Sequence, residues 1–249
     1  MKRRIAMVLP IWGCLALVLA EVPTVEAEDN PAVATARKAR DQAEIESLRK
    51  VIEQAHSEAQ QHGTAEAYER LAQFELWLCE AAHGHKDDKL MKQAAEAGVA
   101  AAEKAVALNR NSSEAHRIEG DALGELIPHV FAGGMRYGRR STAELDKAIE
   151  LDPRNANAYI GRAIAYFFTP AAFGGSRDKA VEMLKKAIEL DPSSDTAHIW
   201  LAQVHLAKGQ HAEAVREINE ARRLDPERVF STYVYNTVTA ARQQQANAN

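Results

Sequence analysis

One phrase recurs along the chain and restricts its fold more than any other feature. Ala148-Ile-Glu-Leu-Asp-Pro153 returns as Ala187-Ile-Glu-Leu-Asp-Pro192 and again as Ala221-Arg-Arg-Leu-Asp-Pro226. A fainter copy is Ala105-Val-Ala-Leu-Asn-Arg110. Successive copies lie 43, 39 and 34 residues apart. A period of that size marks a stack of supersecondary units, each too small to bury its apolar face without its neighbours.

The residues around each copy define the unit. Between 176 and 190, Ala180, Val181, Leu184, Ala187 and Ile188 fall on one stripe; between 212 and 224, Ala214, Val215, Ile218 and Ala221 do the same. That is the three-and-four spacing of an amphipathic helix. Pro153, Pro192 and Pro226 then end each helix, because the residue before a proline avoids the helical region. Asn155 and Ser194 stand where the following helices need a cap. The helix 195–207 runs into Lys208-Gly209, a cation and a glycine suited to a left-handed stop. Only 6% of the 249 residues are aromatic, and 13 glycines with 8 prolines are few. That balance predicts an all-α chain rather than a sandwich or barrel.

The repeat resembles the tetratricopeptide family, whose 34-residue helix–turn–helix units carry small residues at fixed places. In 195–228 these are Ala202, Ala214 and Ala221, with Pro226 after them. Unit 156–194 has Ala163, Ala180, Ala187 and Pro192; unit 113–155 has Gly120, Ser141, Ala148 and Pro153. Unit 65–112 has Ala72, Gly98 and Ala105, with Arg110 in place of the proline. Small side chains let two helices approach closely, so the pattern has a mechanical reason. The resemblance implies a right-handed solenoid of about four helical pairs.

The first three units exceed the 34-residue period, at 48, 43 and 39 residues. The extra residues are expected as loops between the two helices of each unit. Two loops share a phrase, Pro128-His-Val-Phe131-Ala-Gly133-Gly134 and Pro170-Ala-Ala-Phe173-Gly174-Gly175. Phe131 and Phe173 are expected to fold back onto the solenoid. Before the repeats, 35–64 reads as one long helix packing on the first unit. After them, 229–242 reads as a capping helix and 243–249 as a disordered tail.

The N-terminus reads as an export signal. Lys2, Arg3 and Arg4 precede an apolar run from Ile5 to Ala20, and the chain then turns acidic at Glu21 and over 26–29. A signal peptide over 1–20 and a linker over 21–34 follow, hence a periplasmic or secreted protein with no membrane span once cleaved. A second cut after Val25-Glu26-Ala27, a lipidated Cys14 and an uncleaved anchor are the alternatives. With the signal gone, one cysteine remains, Cys79, which excludes a disulfide framework. Its place on an apolar helical stretch suggests a buried, inert thiol. Formal net charge is -4, which gives no basic footprint for nucleic acid.

Chemical motifs are absent. There is no phosphate loop, nucleophile elbow or Cys-x-x-Cys pair. His83-Gly-His85-Lys-Asp87-Asp88 has metal-ligand types but reads as a solvated loop, so neither metal nor cofactor is expected. His198 reads as a packing residue. Asp146, Glu150 and Asp152, and also Glu213, Glu217 and Glu220, read as solvated helix faces rather than acid–base pairs. Arg136, Arg139 and Arg140 form a local positive cluster, suited either to a solvated loop or to an acidic partner or lipid headgroup. No catalytic residue is assigned, and the chain is expected not to be an enzyme.

The family resemblance places ligands on the concave surface formed by the first helix of each unit. Those positions here are Glu66, Glu69 and Gln73; Arg117 and Asp121; Asn157, Ile160, Ile164 and Phe167; and Thr196, Ile199, Gln203 and Leu206. A protein partner held there, and through the inserted loops, is the first functional expectation. The second is a small apolar solute. The phrase Thr169-Pro-Ala-Ala-Phe-Gly-Gly-Ser-Arg-Asp-Lys-Ala180 is similar to a segment in T-components of periplasmic TRAP-type transporters. That similarity implies defined oligomers and an enclosed cavity.

Overall fold

The computed structural model describes residues 30–248. The expected signal peptide, Cys14 and most of the linker lie outside the described residues. Eleven α-helices and no strand occur among the described residues: α1 Pro31–Asp41, α2 Ile45–His62, α3 Ala65–His85, α4 Asp88–Leu108, α5 Ser113–Leu126, α6 Gly133–Leu151, α7 Ala156–Phe168, α8 Arg177–Leu190, α9 Asp195–Ala207, α10 His211–Leu224 and α11 Val229–Ala248. The all-α class and the four helical pairs, α3/α4 to α9/α10, are as the repeats predicted.

The recurrent phrase is a turn with its own wiring. Asp152, Asp191 and Asp225 are all extended, with φ of -139°, -135° and -132°, as a residue before proline must be. Each carboxylate then accepts the amide two residues on, from Arg154 at 2.9 Å, Ser193 at 2.9 Å and Glu227 at 3.1 Å. Asn109 does the same for Asn111 at 3.1 Å, so the faint copy keeps the turn without its proline. The next helix starts from a capping side chain. Ser112, Asn155 and Ser194 accept the amides of Ala115, Ala158 and Ala197. Ala72, Ala105, Ala148, Ala163, Ala180, Ala187, Ala202, Ala214 and Ala221 are all fully buried where helices meet.

Several expectations are corrected. The segment before the repeats is two helices, not one. Ala43 takes a left-handed φ of 53°, and Glu44 N–H donates to the Ala39 carbonyl at 2.7 Å, closing α1. The break lets α1 fold back so that Ala36 and Ala39 join the core with Leu48 and Phe74. The first unit has no inserted loop: its extra residues lengthen α3 and α4 to 21 residues each, leaving a turn at Lys86-Asp87. His83 and His85 therefore sit on α3. His83 packs edge-on against Phe230 and Tyr233, while His85 Nε2 lies 3.0 Å from the Ala43 carbonyl. Phe131 and Phe173 do not fold back; both point into solvent. Arg136, Arg139 and Arg140 ride on α6 rather than in a loop. The expected disordered tail continues α11 as helix to Ala248.

The ends of the solenoid meet. Arg228, just before α11, reaches Glu80 on α3 across 148 residues of chain, at 3.0 and 2.7 Å. Gln42 Nε2 donates to Glu227 at 3.3 Å beside it. The concave surface is thereby closed into a ring.

Candidate functional site: the closed groove

The ring encloses a solvent-accessible groove of about 2480 Å³, lined by the first helices α3, α5, α7 and α9 and the start of α11. Its lining divides into a polar and an aromatic zone.

The polar zone centres on Arg117. Its guanidinium is 5% exposed and donates to Asp121 at 2.9 Å, to Glu114, and to Gln73 on α3. All three of its nitrogens are engaged inside the protein, so Arg117 holds α3 to α5 rather than offering a charge to a ligand. Burial works against the charge of Glu114, but Arg117 and Asn155 outweigh it and hold that carboxyl below its ordinary range. Asp121 differs: burial lifts it to about 6, and Arg117 only partly offsets this. Glu125, one turn on, lines the groove. Burial, reinforced by Asp121 and Glu80, lifts it to about 7. Its Oε2 lies 3.6 Å from the Cys79 thiol, whose own pKa burial pushes well up. The buried, inert thiol matches the sequence reading.

These raised carboxyls have a sign that can be measured. Glu75, between α3 and α4, is also lifted to about 7 by burial. A group whose folded pKa exceeds its unfolded value keeps its proton longer in the native state. Stability therefore falls as pH rises from about 4.5 to about 7. The Glu75→Gln/Glu125→Gln double variant should lose less Tm than the natural chain between pH 5 and pH 8. A scan at several pH values checks this; equal slopes would remove the assignment.

The aromatic zone is a chain of rings along one wall. Phe168 meets Trp200 with centroids 5.9 Å apart, Trp200 meets Phe230 at 6.3 Å, and Phe230 meets His83 at 6.2 Å. Tyr233 completes it, 6.2 Å from His83. Gln203 lies on the same helix face as Trp200, and its Nε2 is buried with no hydrogen-bond partner.

The groove gathers Glu66, Glu69, Gln73, Arg117, Asp121, Asn157, Ile160, Ile164, Thr196 and Gln203 of the anticipated residues. Phe167, Ile199 and Leu206 are not on its wall. Ile199 is fully buried among α9, α10 and α11; Leu206 packs on the same cluster, and Phe167 on the α7–α8 core. A helix advances about 100° per residue, so 199 and 206 lie off the face that Thr196 and Gln203 share with the unanticipated Trp200. Phe168 in place of Phe167 is the same one-residue error. Phe230 and Tyr233 carried no signal, because only the closed ring brings them to the wall. His198 packs as anticipated, its Nδ1 2.8 Å from Glu217.

Comparison with known proteins supports this architecture. Residues 175–232 match the sequence profile described as "Tetratricopeptide repeat". The solved structure of TTC0263, a thermophilic TPR protein of Thermus thermophilus, is similar with a TM-score of 0.63 at 20% identity, covering 84% of this chain and 97% of that one. MamA is a looser match, with a TM-score of 0.43 at 18% identity over 80% and 96% of the two chains. So is YrrB, described as a TPR protein with an unusual peptide-binding site, at 0.43 and 13% over 83% and 98%. No curated protein matches the chain. Residues 175–232 thus match a tetratricopeptide repeat, and the described residues share the fold of a tetratricopeptide-repeat solenoid.

Proposed function

We propose that this protein is an exported, non-enzymatic scaffold whose ring-closed groove holds an extended segment of a partner protein. The size of the groove carries the reading. Pockets for small ligands run to roughly 300–1,000 Å³, and about 2480 Å³ is more than twice that. An extended peptide fills such a volume, with side chains against the Trp200 wall. Arg117 is occupied, so capture of a partner's terminal carboxylate is not the mode.

Selection from a displayed peptide library tests this. Enriched peptides should carry apolar or aromatic anchors and bind Trp200→Ala at least about tenfold more weakly, since truncating a buried aromatic anchor commonly costs about 2 kcal/mol or more. Peptides that ignore Trp200 and Ile164 would refute the groove as the site. Ring closure favours a second reading, a solute-associated protein of the kind the 169–180 phrase resembles. Native mass spectrometry separates the two. A small apolar molecule retained by the isolated chain and released by Ile164→Ala would support the solute. The same spectrum reads the N-terminus. Export with cleavage gives Glu21 as the first residue, and an intact Met1 would refute it.

A further inference from the structure

The turns between the paired helices of the second and third units are built alike and stand side by side. Both carry large apolar side chains left exposed to solvent. Phe131 is 99% exposed, Met135 85%, Phe173 81% and Phe168 66%. Four of the seven large exposed apolar side chains among the described residues thus belong to two short segments, 127–135 and 168–175. The other three are dispersed over α4 and α11.

Their placement is common to one edge. Gly161 of α7 sits against Asp121 of α5, so the two first helices run in register and end at a similar height. Met135 and Phe173 both line the groove. Both turns are also fixed in shape. Gly133 has no room for a side chain, because a Cβ there would lie 2.2 Å from the Ile127 carbonyl oxygen. Gly175 would meet the Thr169 carbonyl oxygen at 1.7 Å. Held tightly by backbone packing, these turns present Phe131 and Phe173 outward as fixed tips.

The charge around the tips is opposite to that of the whole chain. No Asp or Glu occurs from Ile127 to Ala143, although the chain carries 35 acidic residues. The same stretch holds Arg136, Arg139 and Arg140. Arg140 is spent on Glu103 and Glu119. Arg136 lies over the Tyr137 ring at 5.1 Å, and neither it nor Arg139 makes an ion pair among the described residues. The turn 168–175 bears no charge at all. Protruding aromatic and Met side chains, set just outside free arginines, match the depth profile of a bilayer interface: apolar groups below the headgroups, cations level with the phosphates.

We propose that this edge docks on an anionic lipid surface, Phe131, Met135 and Phe173 entering the interface and Arg136 and Arg139 meeting lipid phosphates. The docking does not depend on what the groove binds.

The test uses the chain beginning at Glu21, which keeps the whole described fold and removes the apolar leader as a competing membrane anchor. Vesicles are phosphatidylcholine alone, or phosphatidylcholine and phosphatidylglycerol in equal parts. The chain should sediment with the mixed vesicles and bind the neutral ones at least about tenfold more weakly. Phe131→Ser/Phe173→Ser should weaken binding to the mixed vesicles by about tenfold or more, as expected for withdrawing buried aromatic surface. Arg136→Gln/Arg139→Gln should remove the preference for phosphatidylglycerol. A position-specific readout comes from labelling Phe131→Cys with an environment-sensitive dye, since Cys79 is buried and unreactive. Its emission should shift to the blue on mixed vesicles, while a label at Arg154→Cys, in a turn at the other end of the helices, should not move. Absence of binding, binding unaltered by the substitutions, or equal shifts at both labels would overturn the proposal. So would oligomers that Phe131→Ser/Phe173→Ser dissolves in native mass spectra, which would assign the edge to a second copy.

Discussion

Arg228→Ala is expected to destabilise the chain by about 3 kcal/mol and to detach the start of α11 from α3. Arg228 is 2% exposed and forks onto both oxygens of Glu80 while its other nitrogen reaches Asp195 at 2.5 Å and Thr196 at 2.7 Å. Removing it strands two carboxylates in mutual proximity where little water can reach them. Breaking a buried pair by deleting one member commonly costs about 3–5 kcal/mol, and two acceptors are orphaned here, although both keep some exposure. Surface pairs such as Lys147–Glu150 and Lys186–Glu189 have no such weight, because exposed pairs three residues apart contribute a few tenths. Arg228→Lys should fall between, keeping the charge and losing the fork. The junction is also where the solenoid departs from nearest-neighbour contacts. Hydrogen exchange should therefore accelerate at both faces of the junction, at the end of α3 and the start of α11, before the other pairs respond. Urea unfolding gives the magnitude. A variant within about 0.5 kcal/mol of the natural chain, with unaltered exchange at α3, would show that the ring is closed by something other than this arginine.

What could be read in the sequence was what each unit repeats. The Asp-Pro turns, the caps at Asn155 and Ser194, and the small residues between helices are local devices with one physical solution each, and they specify the helical pairs. Lengths were less legible. The 14 residues by which the first unit exceeds the repeat period contain Gly84 and two histidines, a composition that suits a loop. Tertiary packing nevertheless keeps them helical, with Leu78, Ala81, Ala82, Leu90 and Met91 buried along the extension. The break at Ala43 has no local signature, because alanine rarely adopts a positive φ and no glycine or proline announces it. The groove was half legible. Positions set by the register of a single helix, Asn157, Ile160 and Ile164, lie on its wall as expected. Positions that needed the helix phase to one residue do not, and Ile199 stood in for Trp200. Phe230, Tyr233 and Arg228 depend on the sum of small rotations over four units, a quantity written in no local pattern.

Two glycines on adjacent helices should answer substitution with opposite signs, and the difference measures how closely the helices pack. Gly120 lies where α5 crosses α6. A Cβ there would stand 2.6 Å from Leu145 Cγ and 3.0 Å from the Ser141 carbonyl oxygen. Leu145 is 1% exposed and cannot swing away, and the Ser141 hydroxyl is tied to the Gly120 carbonyl at 2.7 Å. Gly120→Val must then part the two helices or force Leu145 off its rotamer. Overpacking of this kind costs about 1–3 kcal/mol, and the backbone contact places Val at the upper end. Helix propensity acts in the other direction but contributes at most about 1 kcal/mol, so the clash decides the sign. Gly138, within α6, is open: a Cβ there would meet nothing within 4 Å. Gly138→Ala keeps the whole propensity gain with no clash and should stabilise the chain by about 0.5–1 kcal/mol. Gly120→Ala, the smallest step, should already destabilise, because its one added carbon is the atom that collides. Chemical denaturation of the three variants beside the natural chain settles the matter. If Gly120→Ala and Gly138→Ala shift the midpoint in the same direction, the α5–α6 crossing is looser than these distances require.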